Sequence, residues 1–310
     1  VQDDAGQHFG APTARRRSIY NRRFSSMDQT GIAVIDIGSN SIRYLGRAPE
    51  KRLMTTRLAE GLVSTGVLSE AAMARSIAVI TAFAQDARAE GLTPHAYATS
   101  AVRDARNRKE FLARVEDACG LRIDVLSGER EAEYAHLGAA AEGGLVDVGG
   151  ASSQLVAGGF TASYPVGCVR AKEWGEQSGA QSIEALQEAL FSRFSGFYRF
   201  PRLYVPRWTG VGGTVTTIAA LSRNMAVYDR TVMQEIVLSQ ADVEAQAYAL
   251  YAEGDAARAQ HPLLRERHDV IVEGALILLY IMRGMGIYEL HVSDADGMEG
   301  YRAYLEKHGI

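Results

Sequence analysis

The sequence predicts a mixed α/β protein built from two similar domains that face each other across a cleft. Three observations carry this. The chain has 310 residues, 47% hydrophobic and 23% charged, large enough that one apolar core would normally divide into two. Apolar runs of strand length alternate with helix-length amphipathic segments. A short signature, Asp-(Ile/Val)-Gly followed by small and hydroxyl residues, occurs at Asp36 and again at Asp147.

The first element is an apolar run at Ile32 to Ile35, broken at Gly38 and resumed as a half-buried strand at Ile42, Tyr44 and Leu45. A helix follows, opened by Ser69 and closed by Gly91, with Met73, Ile77, Ile80, Phe83 and Ala84 at three- and four-residue spacing. "HAYAT" reads as a strand, residues 100–118 as one helix stopped by Gly120, "LRIDVL" as a strand and "REAEYAHLGAAAE" as a helix. At Gly144 the strand-Gly-turn pattern restarts, with helices expected at 182–199, 214–223, 239–253 and 269–285. The expected division is therefore an extension over residues 1–27, a first domain over 28–142 and a second over 143–310. The extension carries five arginines and no acidic residue after Asp4 until Asp28, and it stands apart from the fold.

Bulk properties exclude several classes. A net charge of -4 provides no basic field for nucleic acid. The longest apolar stretch, Ala275 to Met282, is far shorter than the ~20 residues of a membrane span. Cys119 and Cys168 form no CxxC pair and the seven histidines show no ligand spacing, so a reducing cytoplasm is expected. His268-Asp269 resembles half of a metal-binding HD pair, but the further histidine and aspartate positions are missing.

Both signature loops suit phosphate. In "VIDIGSNSIR" a strand ends at Asp36, Gly38 lets the backbone turn tightly, and Ser39, Asn40 and Ser41 add donors; an ordinary hairpin turn is the alternative. "LVDVGGASSQL" repeats this with Asp147, Gly149, Gly150, Ser152 and Ser153. A carboxylate beside a phosphate needs a cation between them, so Asp36 and Asp147 imply a hard metal, Mg2+. A third turn, "TGVGGTVTT", places Gly210, Gly212 and Gly213 before a helix that Thr214 would cap, where free N–H groups can hold another phosphate. Glu129, Glu131 and Glu133 crowd a helix start, as acid-base candidates or as ordinary partners of the helix dipole. Arg103 follows a strand and either reaches into the same crevice, to neutralise charge on a transferring phosphoryl group, or is an ordinary exposed helix arginine.

Eight stretches now stand in order: "DIGSNSIR", "ATSAVRDARN", "LSGEREAEYAHLG", "DVGGASSQLV", "YPVGCVRAKE", "GVGGTVTTIAAL", "VEGALILLYIM" and "VSDADGMEG". In these, from about residue 30 to 305, the chain resembles the exopolyphosphatase/guanosine pentaphosphate phosphohydrolase family of the actin-like, sugar-kinase-like ATPase superfold. The resemblance implies two actin-like, ribonuclease H-like domains, a Mg2+-dependent site between them, and removal of a terminal phosphate from inorganic polyphosphate or guanosine pentaphosphate. It implies Glu131 as the general base, Arg103 as a stabiliser of developing charge, Asp147 as a metal holder, and a homodimer. The chain is similar to the short members that lack an appended helical HD-type domain.

Three departures stand out. Gln154 replaces a loop carboxylate, Arg130 replaces a second glutamate, and Gly297 and Met298 replace a leucine and an arginine. Two rival readings follow, a sensor that binds without turnover, suggested by Gln154, and a phosphotransferase that needs an acceptor.

Overall fold

Strand β1 (Ile32–Ile37) is buried along its whole length, because it lies in the middle of a sheet covered on both faces. The computed structural model describes residues 31–310, so the extension expected over residues 1–27 lies outside the described residues. After β1 come β2 (Ser41–Leu45), β3 (Arg52–Thr55), α1 (Leu62–Thr65), α2 (Glu70–Ala89), β4 (Thr93–Ala98), α3 (Ser100–Asp104), α4 (Arg108–Cys119), β5 (Ile123–Val125) and α5 (Gly128–Gly138). The second series is β6 (Gly144–Val148), β7 (Ser153–Ala157), β8 (Phe160–Tyr164), α6 (Cys168–Ser178), α7 (Ile183–Phe191), a 3-10 segment (Ser192–Arg199), β9 (Trp208–Val211), α8 (Gly212–Ser222) and α9 (Arg230–Met233). It closes with β10 (Val237–Ser239), α10 (Gln240–Glu253), α11 (Asp255–Arg258), α12 (Ile271–Met285), β11 (Glu289–Val292) and α13 (Gly297–His308).

The sheets repeat one topology. The first has the order β3-β2-β1-β4-β5, and the second β8-β7-β6-β9-β11 with β10 added at its edge. In each, an antiparallel meander of three strands is joined to parallel strands. The mixed α/β class, with two sheets that share one strand order, is thus what the chain forms. In both sheets the hairpin between the first two strands carries an Asp-x-Gly signature, so the repeated sequence marks equivalent corners of repeated units.

Helix α2 forms as its pattern requires. The Ser69 hydroxyl accepts from the Ala72 N–H, and Ala72, Met73, Ile80, Phe83, Ala84 and Ala87 make its buried stripe. Two expected helices differ. The helix expected over 100–118 is broken at Ala105, because Asn107 pairs its side-chain amide with both backbone groups of Leu68 at 2.9 and 3.0 Å. The helix expected over 182–199 tightens after Phe191 into 3-10 form. Phe191, Phe194, Phe197 and Phe200 recur every third residue, and a three-residue turn sets them on one side, where the last three are buried.

The chain ends against the first sheet. Met298, Tyr301 and Leu305 of α13 pack with Ile32, Val34, Tyr97 and Tyr134. Helices α5 and α13 touch through glycines: a Cβ on Gly138 would lie 1.8 Å from the Asp296 carbonyl oxygen, and one on Gly300 would lie 1.8 Å from that of Tyr134. This crossing fixes the helix that bears Glu131.

Candidate active site

The β1–β2 hairpin closes with the Gly38 N–H on the Ser41 carbonyl at 3.1 Å, and a Cβ on Gly38 would approach that oxygen to 2.8 Å. Antiparallel register sets Arg43 directly opposite Asp36. The Arg43 Nε donates to Asp36 Oδ2 at 2.9 Å, its Nη2 donates to the same oxygen, and its Nη1 to Asp296. Asp36 is buried, and its Oδ1 has no partner.

The β6–β7 hairpin has the same form, with the Gly149 N–H on the Ser152 carbonyl at 2.9 Å. Here the residue opposite the aspartate is Gln154, so Asp147 faces an amide where Asp36 faces a cation. Gln154 is wholly buried and turns its Nε2 to the hydroxyls of Ser152 (2.9 Å) and Ser163 (3.2 Å). The Asp147 carboxylate has no hydrogen-bond or ion-pair partner among the described residues. The two loops meet: a Cβ on Gly150 would lie 2.8 Å from the Ser39 Cβ and 3.2 Å from the Asn40 nitrogen.

Helix α8 begins at Gly212, whose φ of +81° is left-handed, and a Cβ there would fall 2.3 Å from Asp147 Oδ1. Only glycine admits both the turn and this approach. Thr214 is not the cap expected from the sequence. The helix starts two residues earlier, with Val211 in the cap position, and the Thr214 hydroxyl donates to the Val148 carbonyl at 2.9 Å.

At the other wall, Ser127 caps α5 and presents three glutamates, of which Glu129 and Glu133 are exposed while Glu131 turns inward. Arg103 donates to Glu131 Oε2 at 3.2 Å and to the Leu126 carbonyl at 2.9 Å. Asp36, Gly38, Ser39, Asn40, Ser41, Glu131, Asp147, Gly149, Gly150, Ser152, Gly212, Gly213 and Thr214 converge on one cleft of about 110 Å³. Two expected residues do not line it. Arg103 stands behind Glu131 and touches the cleft only through that contact. Ser153 is wholly buried, its hydroxyl donating to the Val166 carbonyl at 2.6 Å.

The structure adds Arg43, Thr99, Ser100, Cys168 and Arg267 to the lining. Arg267 is the chief addition. Its guanidinium lies over Gly213, within 2.1 Å of where a Cβ would be, and it has no hydrogen-bond or ion-pair partner among the described residues. Burial lowers its affinity for a proton, as does Arg43. Its neighbours in sequence are engaged separately, His268 with Asp255 at 2.8 Å and Asp269 with Arg57 at 3.2 Å.

The electrostatics are those of crowded carboxylates. Burial pushes Glu131 up to about 7, with Arg103 opposing and Asp36 adding to the rise. Burial, reinforced by Asp296 and Glu131, pushes Asp147 up to about 8. Asp36 is raised by burial despite Arg43. For Asp296, burial is outweighed by Arg43 and Lys51, which hold it below the usual range. The cleft therefore combines the unpaired Asp147 carboxylate, the partnerless Oδ1 of Asp36, an unpaired arginine and backbone N–H groups at two turns and a helix start. That combination has the chemistry to accept phosphoryl oxygens and a hard cation together.

Comparison with known proteins agrees with this geometry. The family model described as the Ppx/GppA phosphatase family matches residues 33–307. An "Exopolyphosphatase 2" of Mycobacterium tuberculosis is 31% identical over 317 residues, covering 88% of this chain and 98% of the relative. A guanosine-5'-triphosphate,3'-diphosphate pyrophosphatase of Photobacterium profundum is 37% identical over 159 residues, 44% of this chain and 32% of the relative. The solved structure of the Aquifex aeolicus member of the Ppx/GppA family is 27% identical and superimposes with a TM-score of 0.71, covering 90% of this chain and 98% of the other.

Proposed function

The chain belongs to the Ppx/GppA phosphatase family and is a phosphoanhydride hydrolase, and we propose that it releases the terminal phosphate of inorganic polyphosphate or guanosine pentaphosphate in a Mg2+-dependent reaction. The observation that carries this reading is the placement of Glu131. It is half-buried, raised to about 7, and held by Arg103 at 3.2 Å on the wall facing both Asp-x-Gly loops.

In this reading the terminal phosphoryl group lies between the loops, its oxygens on the N–H groups near Gly38, Gly149, Gly150 and Gly213 and on Asn40 and Ser152. Arg267 supplies the free cation that developing charge requires. Glu131, as its anion, orients a water for in-line attack and takes its proton, a role worth about 10²–10⁴ in rate. Arg103 aims Glu131.

The residues present fit Mg2+. No group of three or more His, Cys, Asp or Glu among the described residues could hold a metal alone. Mg2+, however, takes one or two carboxylates and completes its shell with water and substrate phosphate. Asp147 and the partnerless Oδ1 of Asp36 would hold it. When bound, the ion would neutralise phosphate charge beside these carboxylates. Gln154 lies behind the loop, so its neutrality leaves the cleft wall intact.

The test is phosphate release from long-chain polyphosphate, short-chain polyphosphate and guanosine pentaphosphate, with and without Mg2+, and with Glu131→Gln. Release that requires both the ion and Glu131 is expected, with a loss of about 10²-fold or more in the variant. Release only on addition of a nucleoside diphosphate would instead identify a phosphotransferase. A homodimer in the cytoplasm completes the proposal, and sedimentation of the purified protein checks the former.

A further inference from the structure

An alternating row of charges leads away from the cleft. Asp36 holds Arg43, Arg43 holds Asp296, and Asp296 holds Lys51 at 3.1 Å. Lys51 in turn holds Glu299 at 2.9 Å, and Glu299 holds Arg230 at 3.1 Å. The three acids are at most 6% exposed. Burying this many charges contributes little net stability, since desolvation offsets attraction, so the row is better explained by what it holds in place.

Arg43 is that group. A guanidinium has five N–H donors in a rigid fork. Asp36 takes donors from Nε and Nη2, and Asp296 takes one from Nη1. Two N–H groups remain on a side chain that lines the cleft. Without Asp296, nothing else among the described residues would fix Nη1, and the fork could rotate about its bond to Asp36. Lys51 secures Asp296 in turn, and its Nζ also donates to the Asp294 carbonyl at 2.7 Å. Met298, two residues on from Asp296, is wholly buried and brings no charge to this edge, so the cations come from Arg43 and Lys51.

We propose that Asp296 and Lys51 are positioning residues that orient Arg43, so that its two remaining N–H groups contact a phosphoryl oxygen in the cleft. The inference rests on the phosphohydrolase reading for its ligand but is tested by binding, which needs no turnover.

The experiment is a double-mutant cycle read by calorimetric affinity for inorganic tripolyphosphate, all in the Glu131→Gln chain so that the ligand is not consumed. Asp296→Asn is the chosen variant because asparagine is as good a helix cap as aspartate, and Asp296 caps α13 through the Met298 N–H at 3.0 Å. Loss of an oriented charge-assisted contact predicts a Kd raised about tenfold by Asp296→Asn and by Arg43→Met. Adding Asp296→Asn to Arg43→Met is expected to change Kd less than about twofold, because the group it orients is gone.

Equal losses in both backgrounds would show that Asp296 only supports the fold, and an unchanged Kd in Asp296→Asn would also overturn the proposal. If Asp296→Asn lowers the melting temperature markedly, Lys51→Met carries the same cycle without touching the cap. Tripolyphosphate binding by the unsubstituted chain, with no phosphate released from long-chain polyphosphate, short-chain polyphosphate or guanosine pentaphosphate, would remove the hydrolase reading and leave this one standing. Absence of binding by that chain would remove both.

Discussion

In the proposed role of general base Glu131 would act only as the anion, and its surroundings oppose the anion. Burial raises it from 4.5 to about 7, with Arg103 the main opposing influence, so the base is poised near neutral pH. The sign for stability follows. The folded state favours the protonated acid, so Glu131's contribution is fully present below pH 4.5 and is lost as pH rises to about 7. In metal-free protein the unfolding free energy should fall across that window, by up to about 3 kcal/mol from this residue. Glu131→Gln should flatten the fall, leaving the part due to Asp147, which extends to about pH 8. Urea denaturation between pH 4 and 8 with a chelator present measures it, and an unchanged slope in the variant would contradict the burial account. Catalysis should run the opposite way, kcat/KM rising with pH toward a plateau as Glu131 ionises.

The helix that presents Glu131 is held by an element from the far end of the chain, and this sets the second expectation. With Gly300 at the crossing of α13 and α5, an added Cβ would meet the backbone oxygen of Tyr134, which cannot swing aside as a side-chain tip could. Gly300→Ala should therefore destabilise by about 3 kcal/mol and lower kcat by displacing Glu131, which denaturation and turnover of the same preparation would show; normal stability would mean the helices separate freely. The elements legible in the sequence were those whose cause is local. Ser69 with its apolar stripe gave α2, and the two Asp-x-Gly turns located the loops before any topology was known. The break at Asn107 was not legible, because Leu68 causes it from 39 positions away. Arg43 has no role legible in its motif, since its second partner, Asp296, lies 253 positions on. Arg267 carried no signal either, being one arginine among many before an apolar helix. Arg103 was expected in the crevice because sequence puts it near the site, whereas only the fold shows Glu131 standing between.

At the scale of the molecule, two sheets of one topology set their equivalent hairpins face to face, and the cleft is as wide as the ties across it allow. Three ties join the first sheet's loops to the segment bearing Arg267. The Asn40 side chain and the Thr55 hydroxyl donate to the Glu266 carbonyl at 3.4 and 3.2 Å, and Arg57 pairs with Asp269 at 3.2 Å. Arg57 is held at a φ of +48°, left-handed for a residue with a side chain, while its N–H donates to the Asn40 carbonyl at 2.8 Å. A strained residue persists where surrounding contacts over-determine it, and here those contacts bind the first Asp-x-Gly loop and the Arg267 segment into one unit. Arg57→Met keeps the backbone strain and removes the ion pair. It should loosen residues 266–269, raise KM for short-chain polyphosphate by about threefold to tenfold, and leave kcat nearly unchanged, as expected when a binding group is less well placed and the reacting groups are not touched. Amide exchange reads the loosening directly. Faster exchange at 266–269 together with the higher KM would establish that this tie sets the width of the cleft, whereas a higher KM with unaltered exchange would place the effect of Arg57 on the substrate itself.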